Sequence, residues 1–104
     1  MTTPFIVREF EVDGKAVACR FFQPERAEVD YMCRYEIDWP NKKVSRNSYG
    51  IDQVQALLLA MQSAHAVLLL ARVKKGSKVE FLETENLSLP ILSSCRDLSP
   101  TNSF

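Results

Sequence analysis

Alternation of apolar and polar residues defines the first two elements of the chain. Residues 5–12 and 15–22 alternate as β-strands do, and Asp13-Gly14 stands between them. Asp-Gly favours the two-residue turn of a β-hairpin, because both central residues of that turn need positive φ angles. The loop length sets the register and is expected to place four cross-strand pairs on one face: Val12–Lys15, Phe10–Val17, Arg8–Cys19 and Ile6–Phe21.

Two further strands are predicted after a polar loop. Residues 31–39 alternate over nine positions, which is typical of a half-buried antiparallel strand. After a turn at 40–42, residues 43–49 form a more polar strand whose charges suit a sheet edge. Residues 78–83 provide a fifth strand.

Residues 53–72 contain no helix-breaking residue and are predicted to form a helix of about five turns. Asp52 is its N-cap, Gln55 completes a capping box, and Gly76 ends it. The fold class is therefore α+β with two layers, an antiparallel meander of four to five strands packed against one long α-helix. Residues 1–92 form this single domain, and residues 93–104 are expected to be a disordered C-terminal tail.

At 100° per residue, this helix carries two apolar faces. We expect one to lie on the sheet: Val54, Leu57, Leu58, Met61 and Leu68. The other is a candidate interface, formed by Ala56, Leu59, Ser63, Ala66, Val67 and Leu70. Because a single sheet covers one face only, the second needs a cover, which is either the segment 79–92, a second copy of the chain or a different protein.

Charge and composition restrict the partners. The chain has 13 Lys and Arg and 13 Asp and Glu, and a neutral protein is not expected to commit its whole surface to nucleic acid or anionic lipid. The net charge of zero results from regions of opposite charge: residues 42–78 hold seven bases and one acid, while the flanking regions are acidic. The bases cluster at 40–46 and at the end of the helix, so the sequence is compatible with a local contact to an anionic partner.

Two further observations bear on the cellular compartment of the protein. The N-terminus has no apolar run of signal-peptide length, and polar residues interrupt the apolar region 54–73. We therefore expect a cytoplasmic protein with no membrane partner, in which the three cysteines are free thiols.

Three residues form a candidate ligand pocket between helix and sheet. Arg8 faces inward opposite Cys19, and His65, the one histidine, lies at the border of the sheet-facing stripe. Each has a structural alternative, since a histidine can pack on apolar neighbours and an arginine stem can cross the sheet to an internal partner. The chain has no CxxC motif and no Ser/His/Asp arrangement, so no catalytic residue, metal or cofactor is predicted.

Four runs of residues resemble a family of small bacterial proteins that constitutes a domain of unknown function. These are Arg-Glu-Phe-Glu-Val-Asp-Gly-Lys (8–15), Arg-Phe-Phe-Gln-Pro-Glu (20–25), Cys-Arg-Tyr-Glu-Ile-Asp-Trp-Pro (33–40) and Tyr-Gly-Ile-Asp-Gln-Val-Gln-Ala-Leu-Leu-Leu-Ala (49–60). The resemblance covers roughly residues 5–92 and implies a bacterial cytosolic protein. It brings no established activity, so it assigns no functional residue.

The leading interpretation is a non-enzymatic interaction or accessory module that forms a homodimer, or binds another protein, through the candidate interface. The alternative is a small-molecule-binding protein or enzyme with its pocket near Arg8, Cys19 and His65. Nucleic-acid binding is the least favoured, because it rests on the basic segments alone.

Overall fold

Six strands form one antiparallel sheet, and a single long helix packs across it. A computed structural model describes residues 4–102. The elements in chain order are β1 (Pro4–Val12), β2 (Lys15–Phe22), β3 (Glu25–Arg26), β4 (Tyr31–Trp39), β5 (Lys42–Gly50), α1 (Gln53–Lys75), β6 (Val79–Glu80) and a 3₁₀ helix (Ser93–Leu98). The predicted α+β fold of an antiparallel sheet against one helix is confirmed.

The β1–β2 hairpin has the predicted register. Asp13 and Gly14 have φ angles of 51° and 81°, and Arg8 pairs with Cys19. On its other edge β1 pairs with the short β6, while β2 pairs with β4. β4 pairs along its whole length with β5, and this is the pairing that joins β5 to the sheet.

Both ends of α1 are capped as the sequence predicts. The Asp52 side chain accepts a hydrogen bond from the Gln55 backbone N–H (2.8 Å), and the Gln55 side-chain oxygen accepts one from the Ile51 N–H (2.7 Å). Gly76 adopts the left-handed conformation, with φ 64°. By length and composition alone the helix could cross a membrane; here it lies on the sheet.

The face that α1 turns to the sheet differs from the predicted one. Val54 is 74% exposed and Leu58 42% exposed, so the expectation that both lie on the sheet is wrong. The buried side is built of alanines: Ala56, Ala60, Ala64 and Ala71. Gly50 lacks a side chain where the helix backbone approaches β5, and a Cβ atom added there would lie 2.4 Å from the Ala56 nitrogen.

A second side of the helix is covered by the chain that follows it. His65, Leu68 and Leu69 are buried, as are the side chains of Leu87, Leu89 and Ile91 in the segment after β6. All except His65 belong to one hydrophobic core. The segment 79–92 is therefore part of the fold and covers a flank of the helix.

The C-terminal region also differs from its predicted disorder. Ser93–Leu98 is a 3₁₀ helix, and the buried Asn102 side chain donates a 2.9 Å hydrogen bond to the Leu89 carbonyl oxygen. Its order comes from this contact and from Cys95 and Leu98, which pack against the core. Residues 103–104 of the predicted tail, like residues 1–3 of the predicted domain, lie outside the described residues.

Candidate functional site

Arg8 lies on the inward face of β1, as its register requires, and its guanidinium binds backbone carbonyl oxygens. Its Nη1 donates to the carbonyl oxygens of Leu87 (3.0 Å) and Ser88 (2.8 Å). The guanidinium carbon also lies 4.3 Å from the centroid of the Phe81 ring. The arginine stem thus crosses the sheet to an internal backbone partner, which is the structural alternative given above for Arg8.

His65 is fully buried between α1 and the segment 79–92. Its Nδ1 lies 3.0 Å from the Pro90 carbonyl oxygen, which identifies Nδ1 as the donor. Its Nε2 is buried and makes no hydrogen bond within the described residues. Burial lowers the pKa of His65 below 6.5, against the opposing effect of the Pro90 carbonyl.

Cys19 is fully buried, and burial raises the pKa of its thiol to about 12 although Arg8 and Arg20 act in the opposite direction. Burial likewise raises the pKa of Cys33 to about 11. Because the thiolate is the nucleophile, neither cysteine is activated for covalent chemistry. Cys95 is a free thiol with intermediate exposure.

Arg72, near the end of α1, also has a structural role that no motif in the sequence marks. Its Nη2 donates to the carbonyl oxygens of Val79 (2.6 Å) and Glu85. Arg8, His65 and Arg72 thus form a carbonyl clamp, in which three basic side chains bind backbone oxygens of the segment 79–92. A basic residue on an otherwise apolar helix flank was the only signal in the sequence.

The candidate interface divides between two sides of α1. Ala56 is buried beside Gly50, the Ser63 hydroxyl lies 2.7 Å from that of Tyr35 in the sheet, and Val67 packs against the core. Of the remaining residues, Leu59 and Ala66 are half-buried and Leu70 is exposed, and Val73 lies on the same side of the helix. We call Leu59, Ala66, Leu70 and Val73 the outer stripe; Leu70 is 41% and Val73 61% exposed.

Two surface grooves contain apolar side chains at opposite ends of the helix. One of about 410 Å³ lies at the start of α1, lined by Phe5, Gln23, Pro24, Gln53, Val54 and Leu57. The other, of about 300 Å³, lies between β5 and the end of α1; its residues are Trp39, Lys42, Val44, Arg46, Val67, Leu70, Ala71, Lys74 and Lys75. We call the second the basic groove, since it unites the two basic regions of the sequence.

A third depression lies along β1. It has a volume of about 670 Å³ and an acidic border, with a lining formed by Val7, Arg8, Glu9, Phe10, Glu11, Phe81, Leu82 and Glu83. Arg8 reaches this groove from the carbonyl clamp, whereas Cys19 and His65 do not line it. The three candidate pocket residues therefore do not surround one common opening in this groove.

These features define a two-layer α+β domain with a closed core and several surface grooves. Within residues 4–102, no three His, Cys, Asp or Glu side chains are placed to hold a metal ion. The chain belongs to the family described as Domain of unknown function (DUF6968), whose model matches residues 6–91. Comparison with curated proteins and with solved structures finds no match.

Proposed function

We propose that this chain is a non-enzymatic interaction module of the bacterial cytoplasm and that it forms a homodimer through the outer stripe of α1. The observation that carries the proposal is the spacing of the stripe. Leu59, Ala66 and Val73 are seven residues apart, so they lie on one line along the helix, with Leu70 beside them. Such a line suits packing against a second helix.

The residues of the stripe fit a symmetric contact. Ala66 lies at the centre, where a small side chain allows two helices to approach closely, and leucine and valine flank it. A two-fold axis near Ala66 would bring Leu59 of each copy toward Val73 of the other. Burial of a leucine side chain contributes about 1.5–3 kcal/mol, which favours covering this stripe.

The alternative, a small-molecule-binding protein or enzyme near Arg8, Cys19 and His65, has less support. Arg8 and His65 already bind backbone carbonyls, and the thiol of Cys19 is protonated at neutral pH because its pKa is about 12. A substrate would have to open the core to reach Cys19 or His65.

Sedimentation velocity over a concentration series tests the homodimer. We expect the wild-type chain to sediment as a dimer, and Leu59→Asp and Val73→Asp to sediment as folded monomers. Leu82→Asp is the matched control, because Leu82 is 79% exposed and lies outside the helix. A wild-type monomer at about 100 μM, or a dimer that both helix variants leave intact, would show that the homodimer proposal is wrong.

A further inference from the structure

Among residues 4–102, β5 lies at one edge of the sheet. β5 pairs with β4 from Trp39–Lys42 to Tyr31–Gly50, and within residues 4–102 no other strand pairs with it. The connecting loop has two residues, so Trp39 and Lys42 form a hydrogen-bonded pair and such pairs recur at every second position. The backbone groups of Lys43, Ser45, Asn47 and Tyr49 therefore point away from β4.

The basic groove lies directly beside this edge, on the helix side of the sheet. Val44 is opposite the buried Ile37, so alternation places Lys42, Val44 and Arg46 on the same face, where they line the groove. A strand added to β5 would direct every second side chain over the groove. Backbone pairing and side-chain selection would then occur in one place.

The lining of the groove selects the side chains that can enter it. Val44, Val67 and Leu70 form an apolar surface, and four cations surround it: Lys42, Arg46, Lys74 and Lys75. Within the described residues none of these four forms an ion pair with an acid, whereas Lys43, on the opposite face, lies 3.6 Å from Glu36. The groove thus offers positive charge around an aliphatic centre.

We propose that β5 binds an extended acidic segment of a partner protein as an added antiparallel strand. The apolar side chains of the segment lie on Val44 and Leu70, and its carboxylates lie near Lys42, Arg46 and the end of α1. The inference rests on the proposed role as an interaction module, but it requires no homodimer.

Other occupants fit these observations less well. Pairing of β5 with β5 of a second copy would bring two basic strands together, which like-charge repulsion disfavours. A single-stranded nucleic acid needs aromatic surfaces on which bases stack, and Trp39 is the one aromatic residue in the lining. A strand that carries both carboxylates and aliphatic side chains can contact both the cations and the apolar centre of the groove.

Fluorescence anisotropy with a defined probe tests the proposal. The probe is the labelled peptide Glu-Thr-Val-Thr-Leu-Thr-Val-Thr-Glu, which places Glu, Val and Leu on one face of a strand. The same peptide with Lys in place of Glu and a labelled oligothymidylate of equal length are the comparison ligands. We expect the Glu peptide to bind at least about tenfold more tightly than either, and more weakly as the salt concentration rises.

Variants of β5 locate the binding. Lys42→Gln and Arg46→Gln should each weaken the Glu peptide by about threefold or more, while Lys43→Gln, on the other face of the same strand, should change its affinity by less than about twofold. Ser45→Pro removes an outward N–H but no bond to β4, so it should weaken the peptide in a chain that circular dichroism shows to be folded.

Three results would overturn the inference. These are no saturable binding of the Glu peptide up to about 1 mM, tighter binding of the oligothymidylate, or equal effects of Arg46→Gln and Lys43→Gln. The homodimer is judged separately: Leu70 belongs to both the outer stripe and the groove, so Leu59→Asp should abolish the dimer and leave the affinity for the Glu peptide equal to or higher than that of wild type.

Discussion

The Arg8 guanidinium donates a 2.8 Å hydrogen bond to the carbonyl oxygen of Ser88, 80 positions further along the chain. The same Nη1 also serves the Leu87 carbonyl oxygen. Ser88 has a positive φ angle of 54°, so its backbone lies outside regular secondary structure, and Arg8 supplies a donor for its carbonyl oxygen. One arginine on the first strand therefore fixes the irregular segment that closes the core.

Replacement of Arg8 by methionine should lower the free energy of unfolding by about 2 kcal/mol, because charge-assisted hydrogen bonds to two carbonyls are lost. Urea denaturation measures the loss. Arg26→Met is the control: Arg26 is exposed and its guanidinium carbon lies 5.4 Å from the Tyr31 ring centroid, so we expect a change below about 0.5 kcal/mol. Equal losses in the two variants would contradict the role of the carbonyl clamp.

His65 should make the stability of the protein depend on pH. Burial lowers its pKa in the folded state below 6.5, so on acidification the unfolded chain takes up a proton before the folded chain does. The free energy of unfolding is thus fully retained above pH 6.5 and decreases as the pH falls below that value.

Urea denaturation between pH 5 and 7.5 measures this dependence. His65→Gln should flatten the profile over the same range, since the chain has a single histidine. Parallel profiles for the wild type and the variant would show that another group is responsible.

The four long strands and the helix ends could be predicted because local chemistry determines them, whereas the two-residue β3 lies in the predicted polar loop and β6 is shorter than the predicted strand over 78–83. Asp13-Gly14 specifies the turn and hence the Arg8–Cys19 pair, and Asp52 and Gly76 specify where α1 begins and ends. Neither the turn nor the helix ends depend on the side chains that pack around them. The alternation in 31–39 likewise reflects one buried face of a single strand.

The orientation of α1 could not be predicted, because hydrophobicity favours large side chains and this interface is made of small ones. Alanine contributes little to an apolar stripe, yet alanines form the buried side of the helix. The hydrogen-bond partners of Arg8, His65 and Arg72 could not be predicted from the sequence either, since all are backbone carbonyls and no side-chain pattern marks them.

The three thiols should differ in reactivity. Cys19 and Cys33 are buried with pKa values of about 12 and about 11, whereas Cys95 is partly exposed. We expect Ellman's reagent to modify one thiol rapidly in the folded protein and all three in urea. Cys95→Ser should abolish the rapid reaction, and a rapid phase that survives in this variant would contradict the placement of Cys19 and Cys33.

Gly50→Ala should destabilise the protein more than Gly14→Ala. A Cβ at Gly50 would lie 2.4 Å from the Ala56 nitrogen, and relief of that clash requires the helix to move away from β5. A Cβ at Gly14 meets nothing within 4 Å, so only its positive φ angle of 81° opposes alanine. We expect losses of about 3 and about 1 kcal/mol in urea denaturation, and the reverse order would contradict the close approach.

The alanine face of α1 gives the most direct test of how the helix is seated. Ala60 is fully buried, so Ala60→Leu must push the helix off the sheet and should lower the free energy of unfolding by about 3 kcal/mol. Ala66→Leu, on the outer stripe, adds the same atoms to a partly exposed position and should change the stability of the monomer by less than about 0.5 kcal/mol, because leucine and alanine both favour helices. If the outer stripe pairs two copies, Ala66→Leu should also weaken the dimer in sedimentation. Equal losses of monomer stability in both variants would mean that the alanines do not form the sheet-facing side.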